Sequence, residues 1–189
     1  MVGKLSTIEI FWENQETAGC EYLKQKNNEE KIYVESTTIY FDNQFNKPAK
    51  IDYQIIMNDS WEIICVNIQN EDLKELKLTS NGKGKWFDHT GHELPELSGA
   101  IDIDISSTPF SNSLPINRYN WKINQKRDFQ MVLVSTPSLE IQKVPQTYTY
   151  VSERNGIRVF KYESNHYATF ISVDKAGYVL DYPNVFIRR

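Results

Sequence analysis

Between Lys50 and Asn58 the chain reads KIDYQIIMN, in which Ile51, Tyr53, Ile55 and Met57 alternate with Lys50, Asp52 and Gln54. A period of two sends alternate side chains to opposite faces, so the segment is a strand with one dry face and one wet one. The same period recurs in WEIICVNIQ (61–69), LKLT (76–79), AIDIDI (100–105), QTYTYV (146–151) and YATFISV (167–173). FQMVLV (129–134) is apolar in both phases and reads as a central strand covered on both faces. Asn81-Gly82 and Asn155-Gly156 are hairpin signals, because both turn positions favour positive φ. Asn165-His166 and DKAG (174–177) continue a C-terminal meander that ends at VFIRR.

Helical signals are sparse. EDLKELKL (71–78) could make a helical turn, yet it ends in strand-like alternation. A better start is Thr108, an N-cap residue followed by Pro109 at the first helical position; Pro115 would limit that helix to about two turns. The 9 Phe, 4 Trp and 11 Tyr suit pleated, half-buried surfaces. The expected fold class is therefore mostly β: a mostly antiparallel sheet forming a roll or an open barrel, with one or two short helices. At 189 residues the chain makes one domain, or one sheet system built from two similar halves.

A net charge of −4 supplies no basic field for nucleic acid or an anionic membrane, and nucleic-acid binding is excluded on that ground. Cys20 and Cys65 have no metal-type spacing; two separate thiols in a reducing compartment are the simplest reading, with a single disulfide as the alternative. The stretch MVGKLSTIEIFWENQ has only a five-residue apolar run, and Glu9 interrupts it. That is too short for a signal-peptide core or a membrane span, so no integral membrane segment and a cytoplasmic location are expected.

Several motifs invite chemistry. Asp102 and Asp104 lie two apart on a strand, placing both carboxylates on one side, about 7 Å apart. Such a pair suits sugar chemistry or a divalent cation. With ten Asp in the chain, however, about 0.5 Asp-x-Asp matches arise by chance, and an acidic strand face in water is the plainer reading. His89 and His92 sit in a Gly-bearing turn without a third ligand, so no metal site is assigned, and His166 lies in another turn. No Gly-x-Ser-x-Gly elbow and no phosphate-binding loop is present; NGKGKW lacks the GK[ST] ending. No catalytic residue and no cofactor is therefore assigned. Trp61 and Trp86 could stack on sugar rings or line an acyl pocket, or simply fill the core. Arg118 could clamp a phosphate or carboxylate, or pair with Asp102 or Asp104 and hold the strand to the segment that follows.

The stretch LSGAIDIDISSTPFSNSLPINR (97–118) resembles the signature of the family called putative glycolipid-binding proteins. There an Asp-Val-Asp-Leu strand runs into Thr-Pro-Phe-Thr-Asn-Thr-Leu-Pro-Ile-Arg-Arg. Asp102, Asp104, Thr108, Pro109, Phe110, Asn112, Leu114, Pro115, Ile116 and Arg118 match it, and Ser111 and Ser113 replace threonines. NDSWEI (58–63), GKGKW (82–86) and YESNHYATFISVDKAGYVLDYPNVFIRR (162–189) are similar to further family segments in the same order. Two positions depart: Ala100 stands where the family often has Cys, and Asn117-Arg118 replaces paired arginines, which halves any anion clamp there. The resemblance implies an unsignalled bacterial protein whose curled sheet is similar to the half-barrels of lipoprotein carriers, and it brings no catalytic residues.

The leading expectation is a non-catalytic binding protein for a glycolipid or other amphipathic small molecule. A concave apolar face takes the tail, and a polar rim of Asp102, Asp104, Asn112 and Arg118 takes the head group. Thr108, Trp61 and Trp86 complete the candidate set. Two alternatives stand beside it. One is an enzyme acting on a glycosylated or phosphorylated small molecule through Asp102 and Asp104. The other is a structural or interaction module in which the signature only builds the fold.

Overall fold

The computed structural model describes residues 6–28 and 30–189. Residues 1–5, where the stretch read for a signal sequence begins, lie outside the described residues. Alternation builds a first run of strands, β1 (Ser6–Asn14), β2 (Gly19–Asn27), β3 (Lys31–Asp42), β4 (Lys47–Asn58), β5 (Ile63–Asn70), β6 (Glu75–Ser80) and β7 (Trp86–Phe87). The segment EDLKELKL contributes β6 rather than a helix. After β8 (Asp102–Ile105) come a 3₁₀ turn, Pro109–Asn112, and the helix α1 (Ser113–Arg118). The second run is β9 (Lys126–Ser135), β10 (Glu140–Arg154), β11 (Ile157–Ser164), β12 (Tyr167–Val173), β13 (Val179–Tyr182) and β14 (Phe186–Arg188).

All fourteen strands belong to one open sheet in the order β7-β6-β5-β4-β3-β2-β1-β14-β13-β12-β11-β10-β9-β8. Each run is an antiparallel meander, and the two join where β1 pairs with β14. The β10–β11 hairpin turns on Asn155 and Gly156, both at positive φ, as the Asn-Gly signal requires. β8 departs from the antiparallel rule and runs parallel to β9, with Asp102 opposite Met131 and Asp104 opposite Leu133. Parallel neighbours need a long crossover, and the segment from Ser106 to Gln125, carrying α1, supplies it.

The sheet curls until its two edges approach without pairing. The Gly99 amide donates to the Gly84 carbonyl at 2.8 Å, and the Trp86 indole donates to the Ala100 carbonyl at 2.8 Å. A Cβ on Gly84, whose φ is +90°, would lie 3.1 Å from the Gly99 Cα, so glycine is what lets the edges come this close.

Two apolar clusters fill the curl. One gathers the inner face of the first meander, including Trp12, Tyr53, Ile55 and Ile68, with Ile103, Ile105, Phe110, Leu114, Val132 and Val134. The other gathers Ile116, Phe129, Met131, Tyr148, Phe160 and Ile171 on the inner face of the second. FQMVLV is therefore covered on both sides: Val132 and Val134 face the first cluster, Phe129 and Met131 the second. Cys20 and Cys65 are free thiols. Among the described residues no helix is long and apolar enough to cross a membrane.

Candidate functional site

The corner from Ile105 to Arg118 forms for local reasons. The Ser111 hydroxyl accepts from the Ile105 amide at 2.9 Å, which ends β8. Thr108, in extended geometry, caps the following turn by accepting from the Phe110 amide at 3.0 Å, and Pro109 follows at the first helical position. Pro115 does not end the helical run; it sits inside α1, which continues to Arg118. Its missing N–H falls within the first turn of α1, where a helix has no intrahelical acceptor to offer.

Alternation and the corner then send the candidate residues into three surroundings. In the first, Asp102 is fully buried and Arg118 nearly so, at 0% and 6% side-chain exposure. Arg118 donates to Asp102 Oδ1 at 2.5 Å, to the Gly82 carbonyl at 3.2 Å and to the Trp61 carbonyl at 3.3 Å. One guanidinium thus ties β8 to the β4–β5 and β6–β7 turns of the other meander. Burial pushes the Asp102 carboxyl up to about 6; the charge and hydrogen bond of Arg118 oppose that shift without cancelling it. Trp61 packs with its ring centre 6.3 Å from Phe110 and 6.2 Å from Tyr178, and Trp86 is fully buried.

In the second, Thr108 Oγ1 lies 3.2 Å from the Tyr53 hydroxyl. Tyr53 and Ser36 both donate to Glu21 Oε1, at 2.6 and 2.7 Å. Glu21 has no exposed surface, its Oε2 has no partner among the described residues, and burial raises its carboxyl to about 7. This carboxylate was not among the sequence candidates. Its signal was the phase of EYLKQ (21–25), where Glu21 alternates in step with the buried Leu23 and Gln25.

In the third, Asp104 looks into an open cleft of about 750 Å³ at one end of the second meander's trough. Its Oδ2 accepts from Gln146 Nε2 at 2.6 Å. Behind it the Tyr148 hydroxyl donates to Asn112 Oδ1 at 2.8 Å, and Asn112 Nδ2 donates to the Pro109 carbonyl at 3.2 Å. Burial raises the Asp104 carboxyl, with the Gln146 and Ser111 hydrogen bonds opposing. Tyr162, Tyr167 and Tyr182 also line the cleft, each ring centre 6.2–6.3 Å from the other two. Leu133, Val144 and Pro145 add apolar wall, and Lys143 and His166 stand in its lining.

Of the seven residues singled out from sequence, Asp104 alone lines a described cleft. Asn112 braces its floor through Tyr148, Thr108 belongs to the Glu21 cluster, Asp102, Arg118 and Trp86 are sealed into the joint between the meanders, and Trp61 lies half-buried against it. Among the described residues no group of three His, Cys, Asp or Glu side chains is placed to hold a metal ion.

Residues 9–188 match the family model described as "Putative glycolipid-binding". The chain belongs to this family. A crystal structure of a DUF1089 family protein from Pseudomonas aeruginosa is similar at 24% identity, with a TM-score of 0.76 over 89% of this chain and 92% of that one. At that identity the likeness concerns the fold. No curated protein matches the sequence.

Proposed function

We propose that this protein binds a glycosylated or otherwise amphipathic small molecule in the Asp104 cleft, without transforming it. The observation that carries the reading is the company Asp104 keeps: one half-buried carboxylate and one amide beside three clustered tyrosine rings. Carboxylate and amide oxygens accept from vicinal hydroxyls, and tyrosine faces pack against the C–H face of a sugar while their hydroxyls remain available for hydrogen bonds. Leu133, Val144 and Pro145 offer the apolar part of a ligand somewhere to lie. The cleft volume falls in the ordinary range for small-molecule sites, about 300–1,000 Å³. The family description supports a binding role of this kind.

The two-carboxylate enzyme reading is less well supported, because Arg118 holds Asp102 away from the cleft and one carboxylate remains there. The test is native mass spectrometry of gently purified protein, followed by titration with alkyl glycosides of increasing chain length. Co-purifying or saturably bound glycolipid, lost in Asp104→Asn, is the expected result. Absence of any bound species, or equal binding by Asp104→Asn, overturns the proposal.

A further inference from the structure

A second open cleft of about 590 Å³ adjoins the first, and Pro145 and Gln146 line both. Arg127 forms part of its wall, stacked with its guanidinium carbon 4.5 Å from the ring centre of Tyr119 and 5.6 Å from that of Trp121. The arginines that find carboxylates among the described residues are Arg118, Arg188 and Arg189, and Arg127 is not one of them. Its Nε is shielded from water and has no acceptor. The acidic neighbour in the cleft, Asp128, accepts from the Thr147 hydroxyl at 2.6 Å and lies 4.0 Å from Lys126. Asp128 follows Arg127 on a strand, so the two side chains leave opposite faces of β9.

We propose that Arg127 is the docking point for an anionic oxygen group, a phosphate ester or a carboxylate, carried by a small-molecule ligand. The two rings lie against the guanidinium, and no hydrogen bond among the described residues uses its N–H donors, so its fork can receive two oxygens side by side. The rings also fix the side chain beforehand, so little rotamer freedom is lost when the anion arrives. Shielding on the stacked side strengthens the attraction relative to a fully hydrated arginine. Because the two clefts share a wall, one ligand can place its neutral part over the tyrosines and its charged group at Arg127. The inference extends the ligand reading given above, yet a free anion tests it without that ligand.

The experiment follows the arginine Nε–H resonances of the whole chain by ¹H–¹⁵N correlation NMR during titration with inorganic phosphate and, separately, acetate at constant ionic strength. The expected result is a saturable shift at Arg127, with no matching shift at Arg158, which also lies over a ring, 5.9 Å from Phe160. Arg127→Lys keeps the charge and the apolar stem but loses the fork, and should weaken phosphate binding about ten-fold. Tighter binding of phosphate than of acetate assigns a phosphate ester; the reverse order assigns a carboxylate. Linear, unsaturable shifts, equal responses at Arg127 and Arg158, or unchanged affinity in Arg127→Lys would overturn the proposal. Failure of alkyl glycosides to bind, with the phosphate response intact, would remove the glycoside reading and leave this one standing.

Discussion

In the first meander, Trp12, Tyr53, Ile55 and Ile68 form one cluster with Phe110 and Leu114 of the corner, and the polar groups buried among the described residues there include Glu21 with its donors, together with Gln25 and Thr38. In the second, Ile116 and Trp121 close one end of the trough against Phe129 and Phe160, while the end bearing Asp104 and the three tyrosines stays open. Both meanders are built from the same alternation of dry and wet residues. They differ in what the corner puts on the dry face. Phe110 and Leu114 fill one side; on the other, Asn112 reaches the cleft only through Tyr148, and Ser111 hydrogen-bonds Asp104 while the cleft beside it stays open. An interior left partly unfilled beside a polar floor is where a ligand can compete with water, and a filled one is where polar groups become a stability matter.

The largest expected effect breaks the joint between the two halves. Arg118→Ala leaves the Asp102 carboxylate buried without its counter-charge and frees the Gly82, Trp61 and Ile101 carbonyls. It should cost about 3–5 kcal/mol, or roughly 10 °C in Tm, by thermal and urea denaturation. A variant as stable as the parent would show that the halves are held together without this tie.

Next comes the filled interior. Glu21 has a folded-state carboxyl value of about 7 against an ordinary 4.5, so the folded protein holds a proton that the unfolded chain releases. Stability from this group is fully present below pH 4.5 and is lost as pH rises through about 7. The loss amounts to about 3 kcal/mol at pH 8. Glu21→Gln should therefore be more stable than the parent at pH 8, by up to that amount, and closer to it at pH 4. Parallel stability–pH curves for the two proteins would rule this account out.

Asp104→Asn probes the open end and should behave unlike the variants above. Asn Oδ1 can still accept from Gln146, so unfolding free energy should change by about 1 kcal/mol or less. Glycoside affinity should fall about ten-fold, since a charge-assisted hydrogen bond becomes a neutral one. A large stability loss with unchanged binding would make Asp104 the counterpart of Asp102 rather than its contrast. The smallest effect is expected at Tyr167, which is 45% exposed. Tyr167→Ala should shift stability by only about 0.5 kcal/mol, with a several-fold loss of glycoside binding in isothermal titration. Unchanged binding would remove this ring from the site.

Much of the strand content was legible locally. KIDYQIIMN, QTYTYV and FQMVLV announce their faces through their own alternation, and Asn155-Gly156 announces its turn. The EDLKELKL segment was ambiguous because its apolar residues fit either period, and pairing with β5 decided in favour of β6. Pro115 suggested a helix end because proline lacks an N–H, but at the third residue of α1 that N–H has no intrahelical acceptor to lose. The parallel pairing of β8 left no mark in DIDI itself, since strand direction is set by the crossover that follows. The clustered tyrosines Tyr162, Tyr167 and Tyr182 share one quoted stretch of sequence but come from three different strands, and only the pairing of those strands brings their rings together.

Asp102 and Asp104 mark the boundary most plainly. Sequence by itself determined that the chain would form a mostly antiparallel β-sheet, that these two carboxylates would share one face of a strand, and that a Thr-Pro corner would follow. Those properties depend on a period of two, a capping hydroxyl and a fixed φ, all local matters. Tertiary structure alone decided that Asp102 would meet Arg118 beneath the turns of the other meander while Asp104 faced an open cleft. Charge burial and solvent access depend on which distant segments arrive overhead, and two residues with identical local context cannot encode that difference themselves.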